Sequence, residues 1–144
     1  RRGEFPCTSF DFLGYTFRPR RSKNRWGKHF INFTPAISSK AAKAIRRTSR
    51  NWHWPKRRNL DLEDLARLSN PAIRGWISYF GRFYKSELYP TIRCLDRRLV
   101  MWATRKYKRF RGHRRKAKHW LDRIARREPD LFAHWRLLYT LAER

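Results

Sequence analysis

The chain has 144 residues and a mass of 17.8 kDa, enough for one ordinary domain and too little for two independent cores. Hydrophobic residues make up 40% and aromatics 16%, which excludes a disordered tail. Against 37 Lys and Arg stand 11 Asp and Glu, a formal net charge of +26; a surface so one-sided repels itself and calls for a polyanionic partner, which argues against a small-molecule enzyme.

In chain order, the first third reads as a β-hairpin. Phe10, Phe12 and Tyr15 to Phe17 are β-favouring, with Gly14 expected as a bulge or a close backbone approach, and His29 to Phe33 alternates polar with apolar. The connection from Arg18 to Lys28 is rich in Pro, Ser, Asn and Gly, which predicts a long basic turn. From Pro35 the period becomes helical. Ser38 or Ser39 caps a helix with a stripe of Ala41, Ala44, Ile45, Thr48 and Trp52 and an opposite face of Lys40, Lys43, Arg46, Arg47 and Arg50. Asn51 to Asn59 reads as a loop. Asp61 starts a short helix that Asn70-Pro71 breaks, and the helix beyond it carries the stripe Ile73, Trp76, Ile77, Phe80 and Tyr84. A long helix follows, capped near Ser86, with Pro90 early, a stripe of Ile92, Leu95, Leu99 and Trp102, and Gly112 as its end. Ala117, Trp120, Leu121 and Ile124 mark the next helix, and Leu131, Phe132, Trp135, Leu138 and Leu141 the last. The expected fold is therefore mostly α, an N-terminal β-hairpin over residues 1–34 followed by a bundle of about five helices over 35–144.

No catalytic constellation stands out. Asp61, Glu63 and Asp64 cluster at a helix start, where capping and dipole complementarity explain them without a metal. Cys7 and Cys94 are too few for a disulfide framework, lack partners at zinc-ligand spacing and suit a reducing, cytoplasmic compartment. His29, His53, His113, His119 and His134 are scattered, and the longest apolar run, Leu99 to Ala103, is far short of a membrane span. The first methionine is Met101, so the chain is expected to be a piece of a longer polypeptide.

The positive residues carry the signal. Arg105 to Lys118 reads RKYKRFRGHRRKAK, with Arg105, Lys106, Lys108, Arg109, Arg111, Arg114 and Arg115 interleaved with Tyr107, Phe110 and His113, a pattern expected of a nucleic-acid surface. Arginine outnumbers lysine, and its fork matches phosphate oxygens. Arg20, Arg21, Lys23 and Arg25 in the hairpin connection and Lys43, Arg46 and Arg47 on the first helix belong to the same candidate surface. Tyr107 and Phe110 fit core packing or stacking equally well. Trp76, Trp102 and Trp120 lie in stripes and read as core, whereas Trp26, Trp52 and Trp54 lie outside stripes and read as candidates for stacking on bases.

FDFLGYTF, Phe10 to Phe17, resembles the last conserved strand motif of group II intron reverse transcriptases, the primer-grip hairpin where palm passes into thumb. The run from Asn70 to Ala117, NPAIRGWISYFGRFYKSELYPTIRCLDRRLVMWATRKYKRFRGHRRKA, is similar to the maturase-specific domain of that family, also called domain X or thumb. The resemblance implies binding of intron RNA to assist splicing, a grip on template–primer duplex, and the remaining reverse-transcriptase domains as partners, with no membrane role. It places the primer-grip turn at Phe12, Leu13, Gly14 and Tyr15 and adds Arg74, Trp76, Tyr79, Arg82, Tyr84, Lys85, Tyr89, Arg97 and Trp102 to the maturase positions, among them Arg74, Arg82, Lys85 and Arg97 as RNA contacts. The polymerase's Tyr-x-Asp-Asp motif is missing from the sequence, so no cofactor is expected in this chain and Mg2+ only at the missing polymerase site. Two rival readings are a ribosomal-type structural RNA-binding protein and a nucleic-acid-processing enzyme with an unfamiliar catalytic set.

Overall fold

The computed structural model describes residues 9–18, 20–23, 25–32, 35–83 and 85–142, with the backbone alone at 20–23, 30–32 and 140–142. Cys7, Phe33 and Tyr84 lie outside the described residues.

Phe10–Phe12 (β1) and Tyr15–Phe17 (β2) pair antiparallel, with Phe12 opposite Tyr15. The two residues between them, Leu13 and Gly14, both have positive φ, 53° and 83°, the combination whose twist matches that of the flanking strands in a tight hairpin. Gly14 is therefore a turn residue rather than a bulge, it makes the expected close approach, to the Phe80 ring, and the run expected as one strand is two. The free edge of β2 pairs with Pro35–Ile37 (β5), Tyr15 opposite Ile37, giving a three-stranded sheet in the order β1-β2-β5. The helical period thus begins only after β5. The expected long basic turn is half strand: Arg20–Lys23 (β3) pairs with His29–Asn32 (β4) in a separate two-stranded ribbon.

Five α-helices follow. Ser38 caps α1 (Ser39–Asn51), its Oγ accepting the Ala41 N–H at 3.1 Å. The buried residues of α1 are Ala42, Ile45 and Ser49, so its inner face is rotated from the expected one, with Ala44 and Thr48 exposed. Asp61 starts α2 (Leu62–Phe80) in a capping box with Asp64, whose Oδ2 accepts the Asp61 N–H at 3.1 Å. The acidic cluster does what a helix start asks of it.

The predicted break at Asn70-Pro71 is not there, and α2 runs through it. Pro71 removes one ladder donor and leaves the Arg67 carbonyl without a helical partner. Arg67 and Pro71 both lie on the exposed side of α2. Asn70 instead faces inward: its Nδ2 donates to the Leu131 carbonyl at 2.8 Å and its Oδ1 accepts the Ala133 N–H at 2.9 Å, clamping the segment before the last helix. Asn70→Ala is expected to lose about 2–3 kcal/mol in chemical denaturation, since both partners are left unpaired; an unchanged midpoint would show that the clamp is dispensable.

The single turn Lys85–Glu87 contains Ser86, and α3 (Tyr89–Lys106) begins beyond it with Pro90 in its first turn. It ends six residues before Gly112, because Tyr107 turns extended (φ −108°, ψ 124°) and a separate turn, Lys108–Phe110, follows. The expected stripe holds: Ile92, Leu95, Leu99 and Trp102 are fully buried, and α3 forms the axis of the core. Around it pack α4 (Arg114–Arg127), through Ala117, Leu121 and Ile124, and α5 (Trp135–Ala142), through Trp135. The fold is the expected one, a sheet-forming hairpin followed by a helical bundle.

Candidate nucleic-acid interface

The hairpin turn is held against the end of α2. Gly14 accepts the Ser38 N–H at 2.8 Å, Tyr79 donates its hydroxyl to the Leu13 carbonyl at 2.7 Å, and a Cβ on Gly14 would stand 3.0 Å from the Phe80 ring. Positive φ and this close approach together require glycine here. Tyr15 is buried among Tyr79, Phe80 and Phe83, with ring centroids 5.2–5.7 Å apart. Burial, then the neighbouring Tyr79, raises its phenol pKa against the opposing pull of Arg82. Phe12 (60% exposed) and Leu13 (67%) project from the turn into solvent, and Tyr79 and Phe83 are also exposed beside it. Of the four primer-grip-like residues, two are thus presented outward and two anchor the presentation.

At the other end of the bundle, Tyr107, Phe110 and Trp120 meet edge-on or tilted at 5.3–6.0 Å, so Tyr107 and Phe110 pack rather than stand free. The Arg109 guanidinium lies 4.6 Å from the Phe110 centroid, 5.4 Å from Tyr107 and 5.7 Å from Trp120. It remains exposed, as do Arg105, Lys108, Arg111, Arg114 and Arg115. Burial, then the carboxylate of Asp61, raises the Tyr107 pKa, with Arg109 opposing.

Lys106 departs from this pattern. Its side chain is only 17% exposed, donates from Nζ to the Arg58 carbonyl at 2.7 Å and stands 3.8 Å from the Asp61 carboxylate. It therefore ties the end of α3 to the loop before α2, and its charge is turned inward. The tryptophans also sort differently from expectation. Trp102 is buried and Trp76 and Trp120 are packed against the core, but Trp54 is only 2% exposed, with Phe132 edge-on at 5.9 Å, and Trp52 is sandwiched between Trp54 and Trp76 at 5.4 and 5.5 Å. Only Trp26 of the three expected stacking candidates is open, 75% exposed with the Arg25 guanidinium 4.3 Å from its ring.

The other candidate cations are spread over several elements. Arg20, Arg21 and Lys23 lie on β3, Lys43 and Arg47 are exposed on α1 with Arg46 half-buried, Arg74 is exposed on α2, Arg82 and Lys85 just beyond it, and Arg97 on α3. A second cationic region escaped the sequence reading. Arg93 joins Arg97 on α3, and Arg126 on α4 faces them across a cleft. The i, i+4 spacing of Arg93 and Arg97 was visible in the sequence; their meeting with α4 required the tertiary fold. Among the described residues no group of three His, Cys, Asp or Glu could hold a metal ion, and no helix is long and apolar enough to cross a membrane.

A hairpin docked on a helical bundle, with arginines displayed around an aromatic end, defines the architecture of this module. Residues 42–120, from α1 into α4, match the family model of the group II intron, maturase-specific domain, and the chain belongs to that family. The match extends the resemblance upstream of Asn70 into α1. Membership indicates a maturase-type function in group II intron splicing and implies intron RNA as a partner. No curated protein and no solved structure matches the chain.

Proposed function

We propose that the chain is the RNA-binding thumb and maturase module of a group II intron reverse transcriptase, holding intron RNA in its splicing-active form and, within a longer protein, gripping template–primer duplex. The observation that carries this reading is the aromatic end of the bundle, where Arg105, Lys108, Arg109, Arg111, Arg114 and Arg115 are all exposed around packed rings. The packed rings hold the Arg109 guanidinium in place, and the cations exposed around them offer contacts to several phosphates. An A-form duplex offers a phosphate backbone and a shallow minor groove rather than readable base edges in its deep groove, which suits a surface of arginines. At the opposite end, Phe12 and Leu13 form an apolar contact for the primer strand, kept in place by Gly14 and Tyr15. In this reading the chain itself is not catalytic, Mg2+ belongs to the polymerase site of the remaining reverse-transcriptase domains, and the module works in the cytoplasm or an organelle.

The test is an RNA titration at increasing salt. If phosphates dominate, log affinity falls linearly with log salt, with a loss of about 1000-fold or more between ~50 and ~200 mM. A flat salt response would show that apolar contacts govern and that the arginine surface serves another purpose.

A further inference from the structure

Between α3, α4 and α5 lies an open cleft of about 730 Å3, within the size range of small-ligand sites. Its walls are of three kinds. Val100, Leu121 and Leu138 supply apolar surface, together with the ring of Tyr139. Asp96 and Asp122 supply carboxylates, and Arg93, Arg97 and Arg126 supply cations that form no ion pair with an acid among the described residues.

The carboxylates are held rigidly. Asp96, which lines the cleft, accepts at Oδ1 from His134 Nε2 at 2.7 Å and from Trp135 Nε1 at 3.0 Å, both from buried rings, which leaves its Oδ2 with acceptor capacity. Asp122 accepts the Tyr139 hydroxyl at 2.5 Å and Lys118 Nζ at 3.2 Å. Burial, then the bond to Asp122, pushes the Tyr139 phenol well above its usual range, so it stays a hydrogen-bond donor.

A ligand made only of phosphate would meet two carboxylates, and a purely apolar one would cover the three guanidinium groups and the spare acceptor of Asp96 without giving them a partner. A nucleotide satisfies all three wall types: a flat apolar ring, N–H groups on the base edge for Asp96, and a phosphate for the arginines. Paired bases are stacked inside the duplex and cannot enter, so the occupant has to be unpaired. We propose that the cleft between α3, α4 and α5 receives a single unpaired nucleotide of the bound RNA, its base against Leu121, Leu138 and Tyr139 and its phosphate on Arg93 and Arg97. The site rests on RNA binding by this chain and adds to it a preference for RNA interrupted by bulges.

The experiment compares two probes on the full chain, a perfect RNA duplex and the same duplex with one bulged cytidine. The bulged probe is expected to bind about tenfold tighter, the scale of one base settled on an aromatic or apolar wall. Leu138→Trp, which fills the cleft from a half-buried position on α5, should erase that preference while leaving affinity for the perfect duplex unchanged. Independently of any variant, a photoreactive base at the bulge should crosslink to peptides of α4 or α5. Equal affinity of the wild-type chain for both probes overturns the cleft assignment while RNA binding stands, and so does a crosslink confined to α1 or to the hairpin. Binding of neither probe overturns both readings.

Discussion

Trp102→Ala is expected to destabilise the chain by about 3–5 kcal/mol and to lower its melting temperature by roughly 10–20 °C. The indole is fully buried on the central helix α3, its Nε1 donates to the Arg57 carbonyl at 3.0 Å, and the Tyr107 ring meets it edge-on at 6.0 Å. Truncation removes the apolar area, leaves a cavity at the axis of the core and unties the loop that follows Trp54. For a domain whose whole margin is about 5–15 kcal/mol, that is a large fraction. RNA affinity, corrected for the folded fraction, should hardly move. Trp102→Phe keeps most of the volume and loses only the hydrogen bond, so it should sit between the two. A melting curve beside an RNA titration decides the matter: a variant that melts within about 2 °C of wild type and no longer binds RNA would make Trp102 a stacking surface rather than core.

The elements whose logic is local were legible in the sequence. The buried stripe of α3, the Ser38 cap and the Asp61–Asp64 capping box each depend on residues within a few positions of one another, and each is found as the periodicity and cap chemistry predict. Features that depend on distant partners were not. Asn70-Pro71 looks like a helix breaker until the Asn70 amide is seen to serve Leu131 and Ala133, more than sixty positions away. Trp54 looks like a free loop aromatic until Phe132 closes over it. The hairpin turn was missed for a different reason: Leu13-Gly14 lacks the Asn-Gly or Asp-Gly signature, and Leu13 holds its positive φ because Tyr79 grips its carbonyl. For the candidate surface, the excess of arginine was legible as charge, but which cations face outward was not. Lys106 sits in the middle of the basic run and differs from its neighbours only in what the loop at Arg58 and Asp61 presents to it.

That difference yields the sharpest contrast in RNA binding. Arg105, Arg109, Arg114 and Arg115 are exposed, and replacing all four by Gln should weaken RNA binding about 1000-fold, taking about 1 kcal/mol for each charge-assisted phosphate contact. The slope of log affinity against log salt should become shallower by about three, since each neutralised phosphate contributes roughly 0.7–0.9. Stability should change little: Arg109 gives up a cation–π contact of about 0.5–1 kcal/mol, and relief of like-charge repulsion in a chain of net charge +26 opposes that loss. Lys106→Met should behave in the opposite way. Methionine keeps the apolar stem over Trp102 and Tyr107 but abandons the Arg58 carbonyl and Asp61, so stability should drop by about 1–2 kcal/mol while RNA affinity and the salt slope stay as they were. Paired measurement of melting and salt-dependent RNA titration separates the outcomes. If Lys106→Met flattens the salt slope as much as any one of the arginine changes, its ammonium reaches phosphate and the inward placement is wrong. If the fourfold Gln variant unfolds, the arginines hold the end of α3 to α4, and the RNA surface has to be sought on α1 and the hairpin.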